Sequence, residues 1–158
     1  MERNKLYILC GIPASGKSTW AKSEAAKDKN VHVVSRDEIR FSLLKPGEDY
    51  FSKENETWGK FVKEIRQSLM TNKITIADAT HLNRYSRKKL LGALRIPRMC
   101  IEITAVSFDV PFEIAFKRNS KRTGRALVPQ NALKEMYQNF VPPTFAEGFD
   151  KILSIRQN

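Results

Sequence analysis

A nine-residue stretch close to the amino terminus carries the residue types that bind phosphate groups in proteins. It fits the pattern G-x-x-x-x-G-K-[ST]. Its members are, in order, Gly11, Ile12, Pro13, Ala14, Ser15, Gly16, Lys17, Ser18 and Thr19. The two glycines let the backbone approach phosphate oxygens closely. The Lys17 ammonium neutralises charge on β- and γ-phosphates, and the Ser18 hydroxyl is a ligand that suits Mg²⁺. The spacing therefore predicts a nucleotide site, with Lys17 as its catalytic cation.

The segments on either side of this loop are the ones that a phosphate loop needs. The apolar run 6–10 predicts a strand, and the run 17–27 predicts a helix. A strand, a loop and a helix in this order place backbone N–H groups at a helix amino terminus, where the helix dipole favours anions. This context disfavours the alternative, a chance match on a glycine-rich turn.

Strands and helices are predicted to alternate along the rest of the chain. The predicted strands are 5–10, 31–35, 74–77, 99–108 and 151–155, and the predicted helices are 17–27, 37–43, 54–70, 84–94, 111–121 and 130–140. Such alternation is typical of a three-layer α/β/α fold with a mostly parallel sheet of about five strands. Because the 158 residues show no repeat and no boundary, we expect one domain spanning 1–158.

The composition is that of a basic globular protein. Its net charge of +11, from 28 Lys and Arg against 17 Asp and Glu, favours polyanionic partners, although a basic balance alone is as often a solubility feature. No apolar stretch approaches the roughly 18 residues of a membrane span, and no signal peptide is evident. Cys10 and Cys100 lie in apolar runs, so we expect buried thiols and a reducing, cytoplasmic location.

Acidic residues follow three of the predicted strands, at the edge where parallel sheets bind ligands. They are Asp37, Asp78 and Asp109. Asp37 has two interpretations: a helix-capping residue, or a general base that accepts a proton from an attacking hydroxyl. Asp78 is typical of a carboxylate behind Mg²⁺ or of one that orients an arginine, and the alternative is an ordinary turn aspartate.

Two clusters of basic residues are present. The first, 117–125, is either a solvated helix end or a lid whose arginines clamp phosphates and stabilise transition-state charge. Arg118 and Arg122 are four residues apart, a spacing that places two residues on one helix face. The second cluster is interpreted as a solvated helix face or, alternatively, as a track for a nucleic-acid backbone. Its members are Arg84, Arg87, Lys88 and Lys89.

Four stretches carry motifs more specific than the composition. They are GIPASGKSTWA (11–21), SRDEIR (35–40), ADATHLN (77–83) and FDVPFEIAFKRNSKR (108–122). In this order they resemble the 5′-kinase domain of phage-type polynucleotide kinase and the kinase module of polynucleotide kinase-phosphatases. The resemblance covers nearly the whole chain. It implies a P-loop NTPase fold with a helical lid, ATP and Mg²⁺ as cofactors, and a nucleic acid with a 5′-hydroxyl end as the substrate.

The resemblance also implies roles for the residues that would meet the phosphate donor. Lys17 and Ser18 would hold the phosphates and Mg²⁺. Arg122 would be the lid arginine on the donor phosphates, and Arg118 would assist it.

On the acceptor side, the resemblance implies that Asp37 is the general base on the 5′-hydroxyl. Arg40 would grip the acceptor, and Asp78 would support Arg40 or the acceptor. The function implied is therefore an ATP-dependent polynucleotide 5′-hydroxyl kinase. Two alternatives remain: a P-loop kinase of a small-molecule or tRNA-linked substrate, and a non-catalytic nucleotide-binding module.

Overall fold

A computed structural model describes residues 2–156 of the chain. The strands are β1 (Asn4–Cys10), β2 (Val31–Ser35), β3 (Ile74–Asp78), β4 (Ile101–Asp109) and β5 (Lys151–Arg156). The helices are α1 (Lys17–Lys27), α2 (Arg36–Leu43), α3 (Glu54–Thr71), α4 (Arg84–Leu94), α5 (Phe112–Ser120) and α6 (Gln130–Asn139). Every predicted strand and helix is therefore present.

The five strands form one sheet in the order β2-β3-β1-β4-β5, and every neighbouring pair is parallel. This confirms the predicted α/β fold. Since all strands run the same way, their carboxyl ends meet at a single edge, called the carboxyl edge below. Strand β1 lies between β3 and β4, so both of its edges are hydrogen-bonded. Its residues Leu6, Ile8 and Leu9 are fully buried, as expected for a central parallel strand.

Helices cover both faces of the sheet. Leu6 and Ile8 point to one face and pack in a cluster with Phe61 of α3. Leu9 points to the other face and packs in a cluster with Ala21 of α1. Each fully buried large apolar side chain of this kind stabilises the fold by about 1.5–3 kcal/mol. Side chains of β1 thus point to helices on both faces of the sheet, which gives a three-layer arrangement. The loop after β1 lies at the carboxyl edge.

Helices α5 and α6 form a helical lid at the carboxyl edge. Ala115 of α5 and Leu133 of α6 share a small apolar cluster with Ile12, which ties the lid to the loop after β1. Helix α5 ends at Ser120, so the prediction that Arg122 shares a helix face with Arg118 is wrong.

The end of α5 is tightened by short backbone hydrogen bonds. The Lys121 N–H donates to Arg118 O and the Arg122 N–H donates to Asn119 O, at 3.3 and 2.9 Å. These three-residue turns replace the helical pattern, and Arg122 begins the following loop.

Strand β4 starts two residues later than predicted. A short 3₁₀ turn, Arg98–Cys100, occupies its predicted beginning, closed by a 2.9 Å hydrogen bond from the Cys100 N–H to Pro97 O. As a result Cys100 is exposed, and the expectation of a buried thiol is wrong for it. Cys10 is buried as expected. Within residues 2–156, no helix combines the length and the apolar character needed to cross a membrane.

Arg87 is completely buried, so its assignment to a solvated face or a nucleic-acid track is wrong. Its Nε and Nη2 donate to the two carboxylate oxygens of Glu147, at 2.7 and 3.1 Å. Its Nη1 donates to His81 O and Val141 O, at 2.9 Å each. Arg87 therefore ties α4 to the segment that precedes β5.

Candidate active site

The phosphate loop lies at the carboxyl edge, between β1 and α1. Gly16 has φ 99°, a left-handed conformation that favours glycine, and within residues 2–156 no side chain caps the amino terminus of α1. A Cβ on Gly11 would lie 2.9 Å from Ser15 Oγ and 3.0 Å from Phe108 Cβ, so only glycine fits there. Ser15 Oγ is buried and has no partner among the described residues. Uncapped N–H groups and a free hydroxyl form a cradle that fits a phosphate chain.

Lys17 is a buried cation held inside this loop. Its side chain is only 8% exposed, and Nζ donates a 2.7 Å hydrogen bond to Ile12 O. Burial lowers the pKa of Lys17 to about 8. The negative charges of Asp78 and Asp37 oppose that shift, and the positive charge of Arg122 adds to it. Two carboxylates therefore favour the charged form of Lys17, and one arginine disfavours it.

Ser18 and Asp78 form a hydroxyl–carboxylate pair beside Lys17. The Ser18 Oγ donates a 2.8 Å hydrogen bond to Asp78 Oδ2. Asp78 is buried, and burial raises the pKa of its carboxyl although the Ser18 hydrogen bond and the Lys17 charge oppose the shift. Two oxygen groups of this kind at the head of a phosphate loop are the donors that Mg²⁺ prefers. The pair fits the interpretation of Asp78 as a carboxylate behind the metal.

Asp37 is not the cap of α2. The cap is Ser35, whose side chain accepts a 3.3 Å hydrogen bond from the Glu38 N–H, so the capping interpretation of Asp37 is wrong. Asp37 is exposed, and its Oδ1 accepts a 3.0 Å hydrogen bond from the Tyr50 hydroxyl. Burial raises the pKa of Tyr50 to about 12, and the Asp37 charge adds to the shift. The phenol is therefore protonated at neutral pH and remains a donor.

Arg40 is buried against the ring of Tyr50. It is 4% exposed, and its Nη1 donates to Glu54 Oε2 at 2.5 Å and to Tyr50 O at 3.2 Å. Arg36 also donates to Glu54. Burial alone would raise the pKa of the Glu54 carboxyl, but the Arg40 hydrogen bond and the Arg36 charge hold that pKa below its usual range. The carboxylate that supports Arg40 is thus Glu54 and not Asp78.

The lid reaches the phosphate loop through α5. Arg118 is exposed and its Nη1 lies 3.5 Å from Ala14 O. The buried Asn119 side chain donates to Val128 O and accepts from the Val128 N–H, at 2.7 and 3.0 Å. These two bonds close the segment 121–127 that follows α5, in which Arg122 is exposed. Arg118 therefore lies within reach of the phosphate loop, whereas Nη1 of Arg122 lies 3.5 Å from Ala126 O, within the segment that follows α5.

Other residues near the carboxyl edge have structural roles. Asp109 is exposed and faces Arg156 at 3.8 Å, so it does not join the Ser18–Asp78 pair. His81 is buried, and its Nδ1 lies 2.6 Å from Leu9 O. Burial lowers the pKa of His81 to about 4, so its ring is neutral and braces the end of β1.

A groove of about 520 Å³ lies along β2, α2 and α3. None of the residues predicted from the sequence to form the site lines it.

Two residues that contact Asp37 and Arg40 were missed from the sequence. Tyr50 and Glu54 follow no strand, and neither belongs to a motif of phosphate loops. The available signals were weak: Glu54 is an acid in the first turn of a long helix, and Tyr50 is followed by a second aromatic residue.

Comparisons with known proteins find kinases among the similar sequences. An L-seryl-tRNA(Sec) kinase of Methanococcus maripaludis is 27% identical over 155 residues, which cover 92% of this chain and 56% of the relative. A protein of Autographa californica nuclear polyhedrosis virus, assigned as a bifunctional polynucleotide kinase/RNA ligase, is 25% identical over 151 residues, which cover 87% of this chain and 21% of the viral protein.

Among solved structures, a chain of the Pnkp1/Rnl/Hen1 RNA repair complex superposes with a TM-score of 0.72 and 27% identity. The similarity covers 88% of this chain and 44% of that one. The chain thus spans between about a fifth and just over half of the length of these relatives. The model of the AAA domain family matches residues 6–143. Because that match takes in the phosphate loop, all predicted site residues and most of the sheet, the chain belongs to the AAA domain family, as a P-loop kinase domain.

Proposed function

We propose that this P-loop kinase transfers the γ-phosphoryl group of ATP to the 5′-hydroxyl of a DNA or RNA strand. The observation that carries the proposal is the position of Asp37, which lies in the first turn of α2, two residues after Ser35. Ser35 is paired across the sheet with Asp78, the hydrogen-bond partner of Ser18 in the phosphate loop. A kinase needs a carboxylate beside its phosphate cradle to receive the proton of the attacking hydroxyl. The net charge of +11 suits a polyanionic acceptor. The viral relative and the RNA repair complex support the same substrate class.

On the donor side, the chain binds and positions phosphate groups. The loop N–H groups and the Lys17 ammonium hold the phosphate chain, and the Ser18–Asp78 pair would hold Mg²⁺. When bound, Mg²⁺ neutralises charge on the β- and γ-phosphate oxygens. Arg118 and Arg122 approach from the lid and stabilise the charge that develops during transfer.

On the acceptor side, Asp37 receives the proton. The 5′-oxygen forms a bond to the γ-phosphorus, the bond between that phosphorus and the β,γ-bridging oxygen breaks, and ADP leaves. The proton of the 5′-hydroxyl passes to Asp37, whose Oδ1 already accepts from Tyr50. Within residues 2–156, Oδ2 of Asp37 has no hydrogen-bond partner, so this oxygen is free to receive it.

The direct test is label transfer from γ-labelled ATP to matched DNA and RNA oligonucleotides with 5′-hydroxyl ends. The control is the same oligonucleotide with a 5′-phosphate, which should accept nothing. We expect the KM for the oligonucleotide to rise with salt, because phosphate contacts release counterions. Tight ATP binding without transfer to either acceptor would contradict the proposal and favour a non-catalytic nucleotide-binding module.

A second candidate is the phosphorylation of a hydroxyl carried by a charged tRNA. The observation that favours it is the 27% identity to the L-seryl-tRNA(Sec) kinase over 92% of this chain. The two candidates separate in a competition assay that offers both a 5′-hydroxyl oligonucleotide and a seryl-tRNA with phosphorylated 5′ end. The proposed function requires that label appears on the oligonucleotide and not on the seryl group.

A further inference from the structure

Tyr50 lies beside Asp37 and is followed by a second aromatic residue, Phe51, in the loop 44–53 between α2 and α3. The rings of Tyr50 and Phe51 meet edge to face with centroids 4.8 Å apart. Phe51 is 65% exposed, while Tyr50 is half-buried. A single exposed aromatic side chain is ordinary on a protein surface and by itself indicates nothing. The position of this one relative to the proposed base makes it informative.

Tyr50 fixes the position of Phe51 relative to the site. Its hydroxyl donates to Asp37 Oδ1 at 3.0 Å, and its ring lies over the Arg40 guanidinium at 4.3 Å. The same guanidinium is 5.7 Å from the Phe51 ring. Since Arg40 is buried and held by Glu54, the pair of rings rests on a rigid base.

The loop that carries the two rings is also fixed at its other end. Lys45 O accepts a 2.5 Å hydrogen bond from Arg125 Nη2 of the lid, and the Lys45 N–H donates to Glu48 at 2.8 Å. An ordered loop loses less conformational entropy when a ligand docks on it. The exposed face of Phe51 is therefore presented to an arriving acceptor in a prepared position.

The geometry points to Phe51, supported by Tyr50, as the surface on which the base of the 5′-terminal nucleotide stacks. This inference rests on the proposed function. A 5′-hydroxyl that reaches Asp37 carries its base on the same sugar, which brings that base to the neighbourhood of Phe51. Aromatic rings in a basic groove are the general means by which proteins hold unpaired bases, and such stacking tolerates every base.

The charges around the two rings balance. Arg36 and Arg40 share one carboxylate, Glu54, and the Asp37 carboxylate accepts from Tyr50, so two cations meet two anions. The group that this surface offers to a ligand is therefore the exposed aromatic ring, which complements the aromatic base of a nucleotide. An acceptor built of aliphatic groups would gain little from the exposed ring. The inferred substrate is thus a strand whose 5′-terminal base is unpaired.

The test compares two oligonucleotides that differ only in the 5′-terminal residue, which is a thymidine in one and an abasic sugar in the other. Both keep the 5′-hydroxyl and all phosphates. With the wild-type protein we expect kcat/KM to be roughly tenfold lower for the abasic strand, through KM, as for the loss of one stacked base. Phe51→Ala should lower kcat/KM for the thymidine strand by a similar factor and leave the abasic strand unchanged. Phe51→Trp should restore the preference for the base.

The matched control is Phe145→Ala. Phe145 is also 65% exposed, but it lies six residues before the amino-terminal end of β5, away from Asp37. This variant should keep the wild-type preference for the base. Because Phe51 is exposed, we expect Phe51→Ala to keep the wild-type melting temperature and ATP affinity.

The outcomes separate the two proposals. If Phe51→Ala transfers label to both strands with the wild-type ratio, the stacking surface is wrong and the kinase function stands. An equal loss on both strands also overturns the stacking surface, since the ring would then act on something other than the base. If the wild-type protein labels neither strand, the proposed function fails and takes the stacking surface with it.

Discussion

The Ser18 hydroxyl donates a 2.8 Å hydrogen bond to Oδ2 of Asp78, although the two residues are 60 positions apart in the sequence. The pairing arises because β1 and β3 are neighbours in a parallel sheet, so the helix after β1 and the last residue of β3 meet at the carboxyl edge. It provides a hydroxyl and a carboxylate beside the buried Lys17 ammonium.

Asp78→Asn should weaken the use of Mg²⁺. The carboxylate orients the Ser18 oxygen, and loss of such an outer-shell partner typically costs 10- to 100-fold in metal affinity or activity. We therefore expect kcat to saturate at a Mg²⁺ concentration about tenfold or more above that of the wild type. The matched control is Asp109→Asn. Asp109 is an exposed aspartate at the end of β4, which neighbours β1 on the side away from β3. Equal effects of the two substitutions would argue against a metal role for Asp78.

Asp37→Ala should separate nucleotide binding from transfer. General bases contribute about 10²- to 10⁴-fold to rate, so transfer should fall by that factor while ATP affinity stays within twofold or so of the wild type. Label transfer and equilibrium ATP binding measure the two quantities. Glu38→Ala removes the neighbouring exposed carboxylate on α2 and serves as the control. If Asp37→Ala kept most of the activity, the assignment of the base would be wrong.

Nucleotide binding should depend on pH through Lys17. With a pKa of about 8 in the free protein, Lys17 is increasingly neutral above that pH and must take up a proton to hold a triphosphate. ATP affinity should therefore fall by about tenfold per pH unit above pH 8. Calorimetry in buffers of different ionisation enthalpy should detect the uptake of one proton at pH 9. A constant affinity up to pH 9.5 would contradict this.

Without nucleotide, the lowered Lys17 pKa makes the stability of the fold rise with pH, whereas ATP affinity falls with pH. It is below the value of 10.5 that applies to the unfolded chain, so the unfolded chain binds more protons between these two values. The contribution of Lys17 to stability should therefore rise with pH across that window.

Lys17→Ala should remove both nucleotide binding and transfer.

Arg122→Ala should reduce transfer more than binding. A positioned cation that meets developing charge is typically worth about 10²–10³-fold in kcat. Arg122→Lys should restore little of this, because the ammonium lacks the planar fork of a guanidinium. Lys121→Ala, at the exposed preceding position, is the control and should leave kcat unchanged. Single-turnover transfer rates measured at saturating ATP distinguish these cases.

Arg87→Ala should destabilise the fold without touching the proposed chemistry. It would leave the Glu147 carboxylate and two backbone carbonyls without the donors that they now have. Breaking a buried ion pair from one side costs roughly 3 kcal/mol or more. Urea unfolding should detect this loss, whereas the exposed neighbour Lys88→Ala should stay within about 0.5 kcal/mol of the wild type. Equal unfolding midpoints for the two variants would contradict the structural role.

The sheet and its helices were predictable because the apolar runs and the helical periodicities follow local rules. The phosphate loop was predictable for the same reason, since its glycine, lysine and serine positions are adjacent in sequence. Arg87 was misassigned because its charge pattern resembles that of a solvated helix, and only the tertiary pairing with Glu147 buries it. The Arg40 partner was misassigned because Glu54 reaches it from another helix.

Helix ends were the other limit of sequence-based prediction. The four-residue spacing of Arg118 and Arg122 suggested a shared face, but the helix stops at Ser120. The bonds between Asn119 and Val128 fold the chain back at that point, and a side chain that imitates a backbone pairing leaves no local signal in the sequence.

The two cysteines differ in a way that is useful for spectroscopy. Cys10 is buried against the phosphate loop, and burial raises the pKa of its thiol to about 12, so it is protected from alkylating reagents. Cys100 is exposed at the opposite end of the sheet, before the nine residues of β4, which extend for about 30 Å. A maleimide dye should therefore attach to Cys100 alone, giving the unmutated chain a fluorescent reporter that leaves the nucleotide cleft undisturbed.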